Sequence, residues 1–163
     1  MKTFFAIFIL SLSLVLTGCP SGSGIQKSAQ AADKLPALTD SVITAVGGAY
    51  DAGVITLAQK DKFVTTAQKV ISGGRALDNA IKAAQAAKDT SPATVATLNA
   101  LFSTGVVTPF LQILEDLKLL PPDKAATVIA AINLVRTAIL TISSAFTQAG
   151  YHTGAEVLNE RYA

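Results

Sequence analysis

The sequence predicts an all-α protein built as an up-and-down bundle of four or five helices. Through most of the chain apolar residues recur at steps of three and four, which is the spacing of one helix face, and no long alternation of Val, Ile and Thr indicates a strand. Half of the residues are hydrophobic while 6% are aromatic, so aliphatic side chains supply the core. Gly53, Ser91-Pro92 and Pro121-Pro122 separate the apolar repeats. We therefore expect helices joined by short connections.

The first helix is predicted from about residue 35 to residue 50. Pro36 suits the first turn of a helix, where the missing N–H would have no intrahelical partner. Gly53 follows and helps to end the helix. The face that we expect to be buried consists of Leu35, Leu38, Val42, Val46 and Ala49.

The second helix is predicted from Thr56 to about residue 87. Thr56 and Gln59 have the spacing of a capping box, in which two side chains satisfy free backbone N–H groups reciprocally. Gly73 and Gly74 lie in the middle and cost about 1 kcal/mol each relative to Ala. Because the apolar period continues in phase across them, we expect close approach of a neighbouring helix rather than a bend. The apolar stripe consists of Phe63, Ala67, Val70, Gly74, Leu77, Ile81 and Ala84.

The third helix begins after Ser91-Pro92, a cap followed by a first-turn proline. Pro109 lies inside this helix, where its ring removes a backbone donor and clashes with the preceding turn. The sequence therefore predicts a kink or a break between residues 105 and 108, with Thr108 placed to cap a restarted helix. The apolar stripe consists of Val95, Leu98, Phe102, Val106, Phe110, Ile113 and Leu117.

The fourth helix, predicted for residues 123–149, has the most regular heptad pattern of the chain. It is long enough to span a membrane, but Arg136 near its middle and the hydroxyl groups on one face argue against that. We expect a central core helix that ends at Gly150 and is followed by a short tail. Its stripe consists of Ala125, Val128, Ile132, Val135, Ile139, Ile142, Phe146 and Ala149.

A leader precedes the helices. Lys2 is followed by an apolar run over residues 4–16, shorter than the roughly 20 residues of a membrane-spanning helix but typical of a signal peptide. The run ends in Leu16-Thr17-Gly18-Cys19. The segment resembles the class II signal peptide of bacterial lipoproteins, whose lipobox reads Leu-[Ala/Ser/Thr]-[Gly/Ala]-Cys. An ordinary secretory signal or an uncleaved anchor is the alternative interpretation.

The resemblance implies that Cys19 carries a covalent diacylglyceryl group, that the leader (residues 1–18) is cut between Gly18 and Cys19, and that the new amine also receives a fatty acid such as palmitate. In a Gram-negative cell, Pro20 in place of an Asp favours the outer membrane, facing the periplasm, over the inner one. Residues 19–30 are small and polar, which predicts a flexible tether before a helical domain at residues 31–163. Since Cys19 is the single cysteine, lipidation leaves no thiol for a disulfide, a zinc site or a nucleophile.

The remaining residues predict neither catalysis nor a metal site. The chain has 13 Lys and Arg against 11 Asp and Glu, and this near-balance argues against nucleic acid as a partner. His152 is the single histidine, too few for a zinc site. Glu115 and Asp116 are adjacent, so on a helix they point apart and are expected to be solvated surface charges. We expect no enzyme and no cofactor beyond the lipid on Cys19.

The second helix is the one basic segment, with Asp61 and Asp78 as its acidic residues. Such a helix on a membrane-anchored domain is suited to anionic headgroups or lipopolysaccharide phosphates. The alternative is a solvated helix whose cations pair with acidic neighbours. The candidate contact residues are Lys60, Lys62, Lys69, Arg75 and Lys82.

These observations predict a lipid-anchored lipoprotein of the cell envelope that acts as a non-enzymatic structural or protein-interaction module, with an envelope protein as its partner. One alternative is a periplasmic carrier that holds a lipid or quinone between its helices. Another is a lipoprotein, encoded by a phage or prophage, that blocks a receptor or channel.

Overall fold

The computed structural model describes residues 24–120, 125–148 and 150–158, with side chains from Ser28 onward. Every regular element in these residues is helical, which confirms the all-α class. A π-helical turn, Ser103–Val107, joins α3 to α4, so that Pro92–Leu117 is one continuous helical stretch. The predicted leader, the cleavage site at Gly18 and the lipidated Cys19 lie outside the described residues. The helices are α1 (Gly24–Asp51), α2 (Leu57–Ala87), α3 (Pro92–Phe102), α4 (Thr108–Leu117) and α5 (Ala126–Gln148).

The first helix begins about eleven residues earlier than its sequence pattern predicts. Residues 24–30, expected to be part of a flexible tether, form the first turns of α1, and Pro36 lies inside the helix rather than in its first turn. Ser28 in this segment and Ala32 just after it are buried. Tertiary packing therefore stabilises a helix that small, polar residues would not form by propensity alone.

Helix α2 confirms its predicted limits and cap. The Thr56 hydroxyl accepts a hydrogen bond from the Gln59 backbone N–H, and the Gln59 side chain accepts one from the Thr56 N–H at 2.8 Å. At the other end, Lys88 adopts a left-handed conformation with φ of 52° and its N–H caps the helix.

The glycine pair of α2 confirms close helix packing rather than a bend. A Cβ atom at Gly73 would overlap the carbonyl oxygen of Gly105 in the π-helical turn. A Cβ atom at Gly74 would lie 3.2 Å from the side chain of Leu35 on α1. The two glycines therefore let α2 approach two different neighbours closely.

Pro109 does not split its helix, and the irregularity at the predicted place takes the form of a π-helical turn, Ser103–Val107. The proline cannot donate to the carbonyl four residues back, and the chain accommodates it by inserting the π-helical turn, in which the Thr108 N–H bonds to the Ser103 carbonyl. The Thr108 hydroxyl donates to that same carbonyl at 2.9 Å, so it does not cap a new helix. The stretch from Pro92 to Leu117 consequently remains continuous.

Paired contacts fix the directions of the helices. Lys82 meets Asp33 and Gly74 meets Leu35, so numbers rise on α2 as they fall on α1. Lys62 meets Asp116 and Gly73 meets Gly105, so α2 is also antiparallel to α3 and α4. Helix α5 packs along α1.

The hydrophobic core lies between all four helical stretches. The described residues of the α5 stripe, Ala125 to Phe146, are buried as expected, and the Phe146 ring stacks on Phe102 at a centroid distance of 5.7 Å. Among the largest fully buried side chains are Leu35, Leu77, Ile81, Phe102, Phe110, Ile113, Ile132, Ile139, Ile142 and Leu158.

Candidate functional site

The five candidate cations lie along the whole of α2 but on two sides of it. At about 100° per residue, Lys60, Arg75 and Lys82 fall on the side towards α1, whereas Lys62 and Lys69 fall on the side towards α4. From Lys60 to Lys82 the helix rises about 33 Å. The cations therefore border the outer face of α2 instead of forming a single stripe.

Three of these cations have partners within the chain. The Lys82 ammonium lies 2.7 Å from Asp78 and 3.3 Å from Asp33, and its hydrogen bonds to Asp78 and then to Asp33 raise the pKa of Lys82. Lys60 lies 4.6 Å above the ring centroid of Tyr50, a cation–π distance. Lys62 pairs with Asp116 at 2.6 Å.

Asp116 is a buried carboxylate that the sequence pattern did not reveal. Its side chain is 4% exposed, while that of its partner Lys62 is 55% exposed. One carboxylate oxygen accepts hydrogen bonds from Lys62 and, at 3.1 Å, from the Gln112 amide, whereas the other has no hydrogen-bond partner. Contrary to expectation, then, Asp116 is not a solvated charge but a tie between α2 and α4. Asp116 lies three residues after Ile113, so on a helix the two share a face. This spacing was the sequence feature that could have indicated the burial of Asp116.

Within the described part of the chain, Lys69 and Arg75 form no ion pair, and both are exposed. They differ in this respect from Lys62 and Lys82, whose charge is largely neutralised by neighbours. Lys69 and Arg75 are therefore the candidates best placed to meet an external anion.

The residues after α5 form a strap, residues 150–158, that joins α3 to α5. The Tyr151 hydroxyl donates to the Pro92 carbonyl at 2.9 Å, and the Asn99 amide donates to the His152 carbonyl at 3.0 Å. The Ser103 hydroxyl donates to the Thr153 carbonyl at 2.8 Å. The tail, which the sequence places merely after the last helix, is thus part of the folded domain.

The far end of the strap is buried against α5. Leu158 and Ala155 are fully buried, and the Leu158 carbonyl accepts a hydrogen bond of 2.6 Å from Arg136. Arg136, an unusual residue in an apolar helix, therefore helps to hold the strap. The Ser143 and Thr153 hydroxyls meet at 2.6 Å in the buried middle of the contact.

Glu156 organises the turn of the strap. One of its carboxylate oxygens accepts hydrogen bonds from the backbone N–H and the hydroxyl of Thr153, at 3.0 and 3.2 Å. Burial opposes ionisation and by itself raises the pKa of Glu156, but the hydrogen bonds from the Thr153 and Gly154 backbone outweigh it, so that the pKa lies below its ordinary value.

An open cleft of about 560 Å³ lies beside this turn. Leu140 is its large apolar side chain and Glu156 its carboxylate, and carbon atoms of the surrounding hydroxyl and amide residues supply much of its surface. The cleft is open to solvent, whereas a lipid or quinone site buries most of its ligand in an enclosed pocket. The remaining lining residues are Ser143, Ser144, Thr147 and Gln148.

Within the described ranges, no group of three or more His, Cys, Asp or Glu side chains is placed to hold a metal ion. His152 is exposed on the strap.

Charge is distributed unevenly between the helices. No charged residue occurs between positions 92 and 114, and Arg136 is the single one between positions 125 and 148. Both Pro92–Leu117 and Ala126–Gln148 are, by length and composition, apolar enough to cross a membrane. Core helices of water-soluble proteins meet the same criterion, and here the apolar stripes of both helices are buried.

No protein-family model, curated protein or solved structure matches this chain.

Proposed function

We propose that this protein is a lipid-anchored lipoprotein of the cell envelope that acts as a non-enzymatic structural or protein-interaction module. The observation that carries the proposal is the lipobox Leu16-Thr17-Gly18-Cys19, placed directly after a short apolar run and ending in the single cysteine of the chain. A diacylglyceryl group on Cys19 supplies two acyl chains, which is what stable membrane attachment requires.

The start of α1 gives the anchor a short connection to the domain. Residues 20–23 separate Cys19 from Gly24 and span at most roughly 14 Å when fully extended. The first turn of α1 therefore lies close to the headgroups. At this distance the domain meets other membrane components at high effective concentration, so weak contacts suffice for a specific partner.

The proposed domain is an up-and-down bundle in which α1, α2, the α3–α4 stretch and α5 alternate in direction. The antiparallel contacts of α2 with α1 and with α4 support this arrangement. Pro20 in place of an Asp supports the outer membrane, with the domain in the periplasm, in a Gram-negative cell. The proposed partner is an envelope protein.

The proposal is tested by Cys19→Ser, with Thr17→Ser as a control that preserves the lipobox pattern. In cells given radioactive palmitate, wild type and the control should be labelled, and the Cys19→Ser chain should be unlabelled and keep its leader. The label and the mass of the N-terminal peptide are the measurements. Palmitate on the Cys19→Ser chain, or an unmodified Cys19 in wild type, would refute the lipid anchor.

The interaction role requires a second experiment. Crosslinking at native abundance should recover one specific envelope protein with the anchored chain, and less of it with a chain that is exported without Cys19 and its lipid, because tethering raises the effective concentration. If no specific protein is recovered with the anchored chain, the interaction role is contradicted and a purely structural role is left.

A further inference from the structure

The outer face of α2 is an exposed surface of polar and small side chains. It lies opposite the buried stripe that includes Phe63, Val70 and Ile81, and its residues are all exposed. Asp61, near the start of the helix, is the charged residue of this face, and its other residues are small or polar and uncharged. They are Thr65, Gln68, Ser72, Ala76, Asn79 and Ala83.

Lys69 and Arg75 border this face on its two sides. They are six residues apart, which corresponds to about 9 Å along the axis and about 120° of rotation. Ser72 lies between them. The side-chain amides of Gln68 and Asn79 supply further hydrogen-bond donors on the same face.

Among the described residues, the two acidic side chains of α2 are poorly placed to neutralise these cations. Asp78 is mostly buried and already bonded to Lys82. Asp61 is exposed but lies about 12 Å from Lys69 along the helix. The middle of the face therefore combines two uncompensated positive charges with neutral hydrogen-bond donors, which suits phosphate groups.

The anchor places this face within reach of a membrane. The contact between Lys82 and Asp33 shows that the second half of α2 lies beside the first turns of α1. Because residues 20–23 span at most roughly 14 Å, the anchored domain can lie with α2 along the surface of the same bilayer.

We propose that the outer face of α2, centred on Ser72 and bordered by Lys69 and Arg75, docks on anionic phospholipid headgroups of the membrane that carries the anchor. This inference rests on the proposed lipid on Cys19. A lipid chain combined with basic side chains at one surface is a two-part attachment that also orients the domain. In this orientation α5 points away from the membrane, so its uncharged outer face remains open to a protein partner.

The orientation is tested with a thiol-reactive fluorophore on the anchored protein, reconstituted in vesicles. Acylation of Cys19 leaves an introduced cysteine as the single free thiol. Ala76→Cys places the probe on the docking face, and Thr137→Cys places a matched probe on the outer side of α5. In vesicles containing phosphatidylglycerol, iodide should quench the Ala76 probe severalfold less than the Thr137 probe, and the difference should vanish in neutral phosphatidylcholine vesicles or at high salt.

Charge reversal gives the second test. Lys69→Glu with Arg75→Glu should make the Ala76 probe as accessible to iodide as the Thr137 probe. Lys34→Glu, which changes an exposed cation of α1, should leave the protection in place. Circular dichroism confirms that each variant is folded.

Several outcomes would overturn the inference. The first is an Ala76→Cys probe that iodide quenches in anionic vesicles as strongly as the Thr137→Cys probe. The second is a Lys34→Glu chain that loses this protection as fully as the Lys69→Glu, Arg75→Glu chain. The third is protection that appears only when lipopolysaccharide is present. Failure of the lipid anchor is distinguished by wild type itself: a wild-type chain that reacts with the fluorophore carries a free Cys19, and it refutes the proposed function before any probe on α2 is read.

Discussion

At the scale of single residues, Gly73 sets the distance between two helices. Its Cα hydrogen faces the Gly105 backbone, a position that no side chain can occupy without moving α2 away from the π-helical turn. Gly48, in α1, is helical too, but a Cβ atom there would meet nothing within 4 Å. The same residue type therefore has opposite consequences at the two positions.

We predict that Gly73→Ala destabilises the domain by about 1–3 kcal/mol, because the added methyl group overpacks the contact with Gly105. Gly48→Ala should instead stabilise it by up to about 1 kcal/mol through helix propensity. Thermal unfolding followed by circular dichroism measures both. A Gly73→Ala chain as stable as wild type would show that α2 and the π-helical turn separate without cost.

At the scale of elements, α1 and the strap show how tertiary contacts override local composition. Residues 24–30 are helical although their composition is that of a tether, and the strap is ordered although its sequence is short and mixed. Each is held by contacts to distant parts of the chain: Ser28 and Ala32 are buried, and Arg136 bonds to the Leu158 carbonyl.

We predict that acid loosens the strap. Because the pKa of Glu156 in the folded protein lies below its ordinary value, its contribution to stability is present above the ordinary glutamate pKa and is lost as the pH falls through the lowered one. Hydrogen exchange of the Thr153 and Ala155 amides, relative to a free peptide, should accelerate in that range. Glu156→Gln should remove this pH dependence, and Glu115→Gln, on an exposed surface of α4, should preserve it. If the pH dependence of hydrogen exchange is unchanged in the Glu156→Gln chain, a group other than Glu156 controls the loosening of the strap.

At the scale of the whole molecule, charge divides the helices into two groups. Helices α1 and α2 carry charged outer surfaces, whereas the outer surfaces of α3 and α5 consist mainly of Ala, Thr and Ser. The apolar stripes of all the helices point inward to one core. Pro92–Leu117 and Ala126–Gln148, the two helical stretches that are apolar enough for a membrane, thus turn their apolar stripes towards this core.

We predict that a chain beginning at Pro20, without leader or Cys19, is released from membranes by alkaline carbonate. If the two apolar helical stretches spanned the bilayer, their core stripes would be exposed to lipid and Arg136 would lie near the bilayer centre. The charged connection between α4 and α5 would also have to cross the membrane. Each of these changes is unfavourable. Immunoblotting of the supernatant and pellet measures the outcome. Retention in the pellet would show that Pro92–Leu117 or Ala126–Gln148 integrates into the bilayer.

The sequence by itself determined the helical class, the buried stripes and the capping box of α2, because these depend on periodicity and on groups a few residues apart. It also carries the lipobox on which the proposed attachment of Cys19 depends. Tertiary structure alone decided the start of α1, the continuity of the helix through Pro109, the burial of Asp116 and the docking of the strap. Each of these depends on a partner far along the chain: Asp116 on Lys62, Gly73 on Gly105 and Leu158 on Arg136. Local sequence patterns contain no information about such partners. Composition therefore indicated a flexible tether where packing forms the first turns of α1, and a tail where packing forms the strap.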